Sequence, residues 1–206
     1  LQECADDVSL SLLLHVYDFV GAHQSEHCGW VHMYVRKGMQ HEKLRPIEDC
    51  PCVCARLTLR DGVSIVCATV HLAPHLAGEE RRAQQWQRLV DALDSGPCLV
   101  LGDFNVRPRE VAGLLQAGKF TDAVYTGVTW HPGKSRFGTD DWERLYRGPG
   151  YAFDRLFYRG GLCAETFVVG HGRVFSEGAS FSLSDHFAVY GVVDVHHLYA
   201  STRRGD

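Results

Sequence analysis

Long apolar runs are missing from this sequence. None approaches the ~18 consecutive apolar residues that a membrane-spanning helix needs, and the densest short cluster is Leu10 to Leu14. An excess of positive charge is missing too. The formal net charge is −4, so the chain as a whole is not a polycation drawn to nucleic acid. Nucleic-acid contact would fall to local basic pairs, Arg81/Arg82, Arg107/Arg109 and Arg155/Arg159, whose ordinary reading is a solvated surface. No internal repeat, low-complexity tract or Pro/Gly/Ser-rich linker divides the chain. The C-x-x-C spacing of zinc ribbons and redox motifs is also absent, since Cys50, Cys52 and Cys54 in "CPCVC" lie two apart.

Eight cysteines are present, and several fall inside apolar strand-like runs such as "SIVCATV" and "PCLVLG", where Cys behaves as a small hydrophobe. Reduced intracellular thiols are the plain reading, in a nuclear or cytoplasmic protein. The first residue is Leu rather than Met, which leaves a signal peptide and secretion open. With 206 residues, 45% of them hydrophobic, the chain is long enough for one globular domain with a sizeable core. We place that domain at residues 1–195 and a disordered tail at 196–206, ending in "STRRGD".

Periodicity assigns the elements. Residues 6–17 read as a helix with Leu10, Leu13, Leu14 and Tyr17 on one face, and 30–37 as a strand. The segment 53–72 is two strand-like runs joined by Asp61-Gly62, a strong hairpin signal. Residues 78–93 are helical, with Ala83, Trp86, Val90 and Leu93 at helical spacing. "CLVLGDFN" (98–105) is a central strand, and "REVAGLLQAG" (109–118) a short helix closed by Gly118. Residues 131–150 form a long loop, and 151–158 and 186–195 are strands. Hairpins mixed with helices predict an α/β sandwich of two packed sheets.

Polar residues recur where these strands end: Glu3, His71, Asp103, Asn105, Asp154, Asp185 and His186. Alternate residues of an extended chain point the same way, so Asp103 and Asn105 can converge on one ligand. The chemistry these types suit is phosphoester hydrolysis. A hard divalent cation takes carboxylates such as Glu3 and Asp185, and Mg²⁺ keeps several waters besides. Asp103 can orient or deprotonate an attacking water. Asn105, His71 and His186 can donate to phosphoryl oxygens as charge builds. Asp154 can hold the His186 imidazole in one tautomer. Singly, each has a structural reading: Gly-Asp-x-Asn as a turn, His71 and His186 as strand-end histidines, Ser184-Asp185 as a cap, Glu3 as a frayed carboxylate.

In order the contexts are "LQE", "ATVHLAP", "LGDFN", "YAFDR" and "SLSDH". This set resembles the endonuclease/exonuclease/phosphatase superfamily of metal-dependent phosphoesterases, over residues 1 to about 195. The resemblance implies a four-layered α/β sandwich, two packed mixed sheets flanked by helices, and in-line hydrolysis assisted by Mg²⁺ or Mn²⁺. It also implies roles: Glu3 and Asp185 on the metal, Asp103 and Asn105 on water and phosphate, His71 on the phosphate, Asp154 orienting His186. Within the superfamily the sequence is most similar to the tyrosyl-DNA phosphodiesterase 2 branch. The supporting segments are "GEERRAQQW" (78–86), "GDFNVRPREV" (102–111), "TW" (129–130) and "FDRLFYR" (153–159). That branch reads Gly-Asp-Thr-Asn where this chain has Phe104. It implies a DNA-repair monomer acting on a DNA 5′ end, with Arg107 on the phosphate or DNA backbone and Thr129 and Trp130 lining the groove. Alternatives are another phosphoester, such as DNA, a sphingomyelin-like lipid or an adenylated tail, and a non-catalytic binding module. The resemblance implies one more strand, ending in Asn, ahead of Gln2-Glu3. Its first N-terminal strand being missing, the domain reads as N-terminally incomplete.

Overall fold

The computed structural model describes residues 13–25, 29–123, 127–130, 150–169, 174–176, 179–181, 186 and 188–202. A six-stranded mixed sheet organises them. It contains β3 (Gln40–Lys43), β4 (Cys52–Thr58), β5 (Ser64–His71), β6 (Cys98–Asp103), β7 (Thr121–Asp122) and β8 (Asp154–Arg159), in the order β3-β4-β5-β6-β8-β7. Only β5 and β6 pair in parallel, and α1 (Glu79–Ala92) makes the crossover between them. A parallel pair needs such a crossover, whereas β4 and β5 close as a hairpin.

Three further antiparallel pairings lie outside this sheet. β1 (Tyr17–Ser25) pairs with β2 (Gly29–Arg36), β9 (Cys163–Val169) with β12 (Ala188–Asp194), and β10 (Val174–Ser176) with β11 (Ala179–Phe181). The expected fold class is therefore observed, a mixed α/β architecture with a six-stranded sheet and further sheet pairs packed on it. No helix among the described residues is long and apolar enough to cross a membrane.

The sheet separates two apolar cores, and period-two alternation divides its residues between them. Cys52 and Cys54 of β4, Val66, Ala68 and Val70 of β5, and Cys98 and Val100 of β6 face α1 and α2 (Pro108–Gly118). Val53 and Ala55, Ile65 and Cys67, and Leu99 face the other way, toward Val20, Met33 and Val35 of the β1–β2 pair. The spacing of two in "CPCVC" is thus a strand spacing, with the thiols as core side chains. Trp86 is the centre of the helix-side core. Its ring centroid lies 5.7 Å from Phe104, 5.3 Å from Phe120 and 5.6 Å from Phe157, and its indole N–H donates to the Leu114 carbonyl at 2.8 Å.

Several sequence expectations are corrected. The helix proposed for 6–17 is, where described, one 3-10 turn over Leu13–His15 followed directly by β1. Leu14 and Tyr17 are exposed, and Tyr17 pairs with Arg36 across the hairpin, so sheet pairing overrides the helical spacing. The buried face of α1 is Arg82, Gln85, Trp86 and Leu89, while Ala83 is exposed. At the end of α2 the left-handed residue is Lys119, with φ 53°, not Gly118. Gly118 is required for closeness instead: a Cβ there would meet the Phe120 ring at 2.4 Å. The Asp61-Gly62 hairpin forms, but its turn is a longer 3-10 turn over Arg60–Gly62. A last helix, α3 (His196–Thr202), occupies part of the segment read as a tail and buries Leu198 in the second core.

Burial fixes the thiol chemistry. It pushes the Cys67 and Cys98 thiols up to about 12, and Cys52 and Cys54, close to one another, are pushed higher still. Only the thiolate is nucleophilic. Among the six described cysteines, only Cys163 is exposed. Brief iodoacetamide treatment of the native protein, read by peptide mass spectrometry, is expected to alkylate Cys163 and spare Cys50, Cys52, Cys54, Cys67 and Cys98 until denaturant is added.

Candidate active site

The C-terminal ends of the parallel strands β5 and β6 lie beside the start of β8, and the register brings three polar residues level. His71 is the partner of Asp103, and Asp103 of Asp154. His71 and Asp103 end their strands and Asp154 begins β8, so the sheet delivers three polar side chains to one edge. Gly102, at φ 139°, sets the turn of the backbone just before Asp103, a conformation that favours glycine.

The loops beyond the strands are fastened to one another. The Leu72 amide donates to the Asp103 carbonyl at 2.9 Å, and the Phe104 amide to the Phe153 carbonyl at 2.9 Å. Asn105 takes the left-handed conformation, φ 51°, which Asn tolerates. Its backbone amide donates to Asp103 Oδ1 at 2.7 Å and its side-chain Nδ2 to the Leu72 carbonyl at 3.1 Å. The turn reading of Gly-Asp-x-Asn is realised here, at the same edge as His71 and Asp154. The Asx turn is what holds the carboxylate still. Phe104 points away from the site into the helix-side core, 4.4 Å centroid to centroid from Phe157, which accounts for an aromatic residue in this motif.

A row of acids and imidazoles results. Asp103 Oδ2 lies 3.4 Å from His71 Nε2 and 3.8 Å from His186 Nε2. His186 Nδ1 is 2.8 Å from Asp154 Oδ2. An ionised carboxylate only accepts, so Nδ1 carries the proton and Nε2 is turned toward Asp103. Burial pushes the Asp154 carboxyl above the usual carboxylate range, the His186 hydrogen bond pulls it back, and the Asp103 charge pushes it up again. His71 and Asp103 are almost wholly buried, while His186 keeps a fifth of its side chain exposed and Asp154 somewhat less. The more exposed side of this row is therefore the His186 side.

The other candidates distribute unevenly. Thr129 does not line a groove. It is fully buried, and its Oγ1 accepts the Asp154 backbone N–H at 2.9 Å, so it fixes the start of β8. Trp130 bridges Tyr151 and His186 through backbone pairing, which attaches His186 to the central sheet. Its ring, with Tyr151 and Phe153, forms an aromatic group, the last two stacked at 5.1 Å. Arg107 lies over it, 4.8 Å from the Tyr151 centroid and 4.4 Å from that of Phe153. Glu3 and Asp185 lie outside the described residues. Among the described residues no cluster of three or more His, Cys, Asp or Glu side chains is arranged to hold a metal ion.

Most of the basic pairs are structural. Arg82 and Arg155 are ion-paired with Glu110 and Asp122, Arg109 pairs with Glu79, and Arg159 donates to the Gly118 carbonyl at 2.8 Å. Sequence reasoning missed the inward position of Arg82 and Gln85, although Arg82 lies four residues before the buried Trp86 and Gln85 four before the buried Leu89, on the same helix face.

The family model for the Endonuclease/Exonuclease/phosphatase family matches residues 5–186. The chain belongs to this family. Its members are hydrolytic phosphoesterases, and the five described site residues His71, Asp103, Asn105, Asp154 and His186 fall inside the matched span. No curated protein matches the sequence. Among solved structures the chain is similar to truncated Caenorhabditis elegans TDP2, with a TM-score of 0.65 at 18% identity over 93% of this chain and 82% of that one. It is also similar to D. rerio TDP2 complexed with a single-strand DNA product, with a TM-score of 0.65 and 18% identity over 91% of this chain and 80% of that one. An endonuclease/exonuclease/phosphatase from Bacteroides vulgatus gives a TM-score of 0.65 at 18% identity, over 91% and 79%. These likenesses establish the fold.

Thr129 supplies a direct test of the site's framework. Thr129→Val keeps shape but leaves the partly buried Asp154 N–H without its acceptor, which costs about 1 kcal/mol. Urea unfolding is expected to show that loss, with Thr129→Ser, which keeps the hydroxyl, nearer the parent protein. Equal stability of Thr129→Val and the parent would remove Thr129 from the framework.

Proposed function

We propose that this chain is a divalent-metal-dependent phosphodiesterase that hydrolyses the 5′-tyrosyl–DNA linkage, a DNA-repair reaction, by in-line attack of water. The observation that carries the reading is the convergence of His71, Asp103, Asn105, Asp154 and His186 at one sheet edge, in a chain of this family. The TDP2 likenesses, one of them bound to a DNA product, support the choice of substrate.

The donor chemistry suits a hard cation. The edge offers carboxylate and amide oxygens, and Mg²⁺ takes one or two carboxylates and fills the rest of its shell with water and phosphate oxygen. Glu3 and Asp185 are the residues that would hold Mg²⁺ or Mn²⁺, and when bound it would neutralise charge on the phosphate. The chain's own residues then divide the work. Asp103, held by the Asn105 amide, orients the attacking water and accepts its proton. His71, His186 and the Asn105 amide donate to the phosphoryl oxygens as negative charge gathers on them. Asp154 accepts from Nδ1 of His186 and favours the cationic imidazolium, whose Nε2–H is then the donor that faces the reacting group.

The water oxygen forms a bond to phosphorus while the bond to the tyrosine oxygen breaks, leaving a 5′-phosphate and free tyrosine. Phenolate, with a pKa near ~10, is a better leaving group than a sugar alkoxide and needs little protonation. Positioning and charge stabilisation then supply most of the acceleration. Arg107, held against ring faces rather than by a carboxylate, keeps its charge for a phosphate.

The test is tyrosine release from a 5′-tyrosyl oligonucleotide in Mg²⁺. Asp103→Asn is expected to lower kcat by ~10²–10⁴-fold, the range for losing a general base, while retaining the parent's thermal unfolding profile. His71→Ala and His186→Ala should each lower it by ~10²–10³-fold, as for a lost transition-state donor. Chelation with EDTA should abolish release, and added Mg²⁺ or Mn²⁺ restore it. A protein that leaves the tyrosyl oligonucleotide intact but cleaves unmodified DNA, sphingomyelin or poly(A) would overturn the substrate and keep the reaction.

A further inference from the structure

Arg82 is the least expected residue in the fold. It projects from α1, its side chain has no exposed surface, and it lies behind the site rather than in it. A guanidinium removed from water is costly unless its donors are matched, and here they are. Nε and Nη2 donate to Glu110 Oε2 and Oε1, both at 2.9 Å, a bidentate pair. Nη1 donates to the carbonyls of Ala73 at 2.9 Å and His75 at 2.7 Å.

Those acceptors belong to the loop after His71 and to the first turn of the helix that follows the Asp103–Arg107 loop. Ala73 and His75 follow His71 at the end of β5, in a loop where His75 is forced to φ 65°. Such a conformation in a non-glycine residue persists only when its surroundings over-determine it. Glu110 is in the first turn of α2, and its Oε1 also accepts the Arg107 amide at 3.1 Å, two residues after Asn105. Gln85, one turn along α1, accepts the Ala73 amide at 2.9 Å from the same side. Direct contact between the loops is light by comparison, the Leu72 amide to Asp103 and the Asn105 side chain to Leu72.

We propose that Arg82, clamped to Glu110, is a positioning residue that sets the separation between the His71 loop and the Asp103–Arg107 loop. The inference rests on the hydrolytic reading of the site. A clamp fixes geometry and not affinity, so its loss should appear in kcat. Misplacement of reacting groups by an ångström costs ~10²-fold in rate.

The decisive variant is Arg82→Met with Glu110→Gln, which removes both charges together and keeps an acceptor for the Arg107 amide. Breaking a buried pair on one side leaves an uncompensated charge, whereas replacing both partners avoids it. The clamp predicts a folded double variant whose kcat on the 5′-tyrosyl oligonucleotide falls by ~10²-fold while KM stays within about threefold. It also predicts displaced NMR signals of the Asn105 amide and the His71 imidazole. Should the double variant not fold, Gln85→Met, which removes only the acceptor of the Ala73 amide, is expected to lower kcat by about tenfold with KM held. Parent kcat in the folded variant tested overturns the clamp. If the parent protein cleaves no phosphodiester, the proposed function falls instead, and the NMR comparison decides the clamp alone: unmoved Asn105 and His71 signals reject it.

Discussion

Everything at the candidate site depends on the register of three strands. His71, Asp103 and Asp154 are level because β5 pairs in parallel with β6, and β6 antiparallel with β8, in one fixed alignment. A slip of one residue in any of these would turn a polar side chain to the opposite face and bring a core residue to the edge. The cores on both faces prevent the slip. Val66, Ala68, Val70, Val100 and Phe157 pack on the helix side, while Ile65, Cys67, Leu99 and Leu156 pack on the other. Apolar packing thus sets the register, and the register places the chemistry.

That placement carries an electrostatic load. Asp103 and Asp154 are direct cross-strand partners, and like charges directly opposite one another destabilise a sheet. The structure answers it with His186 between them, 2.8 Å from Asp154 and 3.8 Å from Asp103, and with His71 on the far side of Asp103. Backbone N–H groups complete the arrangement: Asn105 donates to Asp103, and Thr129 receives the Asp154 amide. The imidazoles therefore have a structural part here, separating and flanking the two carboxylates. A site that concentrates two carboxylates also gains from any positive group that a substrate or cation brings to it.

The strands, and the polar residues that the register brings level at their ends, were legible because both follow short-range rules. The alternation in "CVCARLT" and "SIVCATVH" specifies two-faced strands, and the polar residues that end such runs mark the edge. Less legible was β1: "YDFVGAHQS" mixes small, polar and aromatic residues and forms a strand only because β2 pairs with it. The helix read across Leu13, Leu14 and Tyr17 followed spacing alone, and long-range pairing outweighed it. Thr129 was read as a groove residue from its motif. Its true task, accepting an amide 25 residues along the chain, is a tertiary relation that no local pattern encodes. Arg82 and Glu110, 28 residues apart, are the same case.

The arginines show how a chain of net negative charge can address a phosphate. Arg155 and Arg159 flank the central β8, but the first is neutralised by Asp122 and the second is held by Gly118 and the Phe120 ring. Their charge is taken up in joining β8 to β7 and to the end of α2. Arg107 differs in kind: its guanidinium is supported by the faces of Tyr151 and Phe153, which stabilise a cation without cancelling it. It follows Asn105 by two residues, and its backbone is held by Glu110. Arg155 and Arg159 thus direct their donors to a carboxylate and to carbonyls within the fold, whereas Arg107 rests on aromatic faces beside the site. The overall charge of the chain therefore says little about attraction at the sheet edge. The local distribution does, and it sets an arginine backed by two aromatic rings next to the Asp103–Asn105 turn.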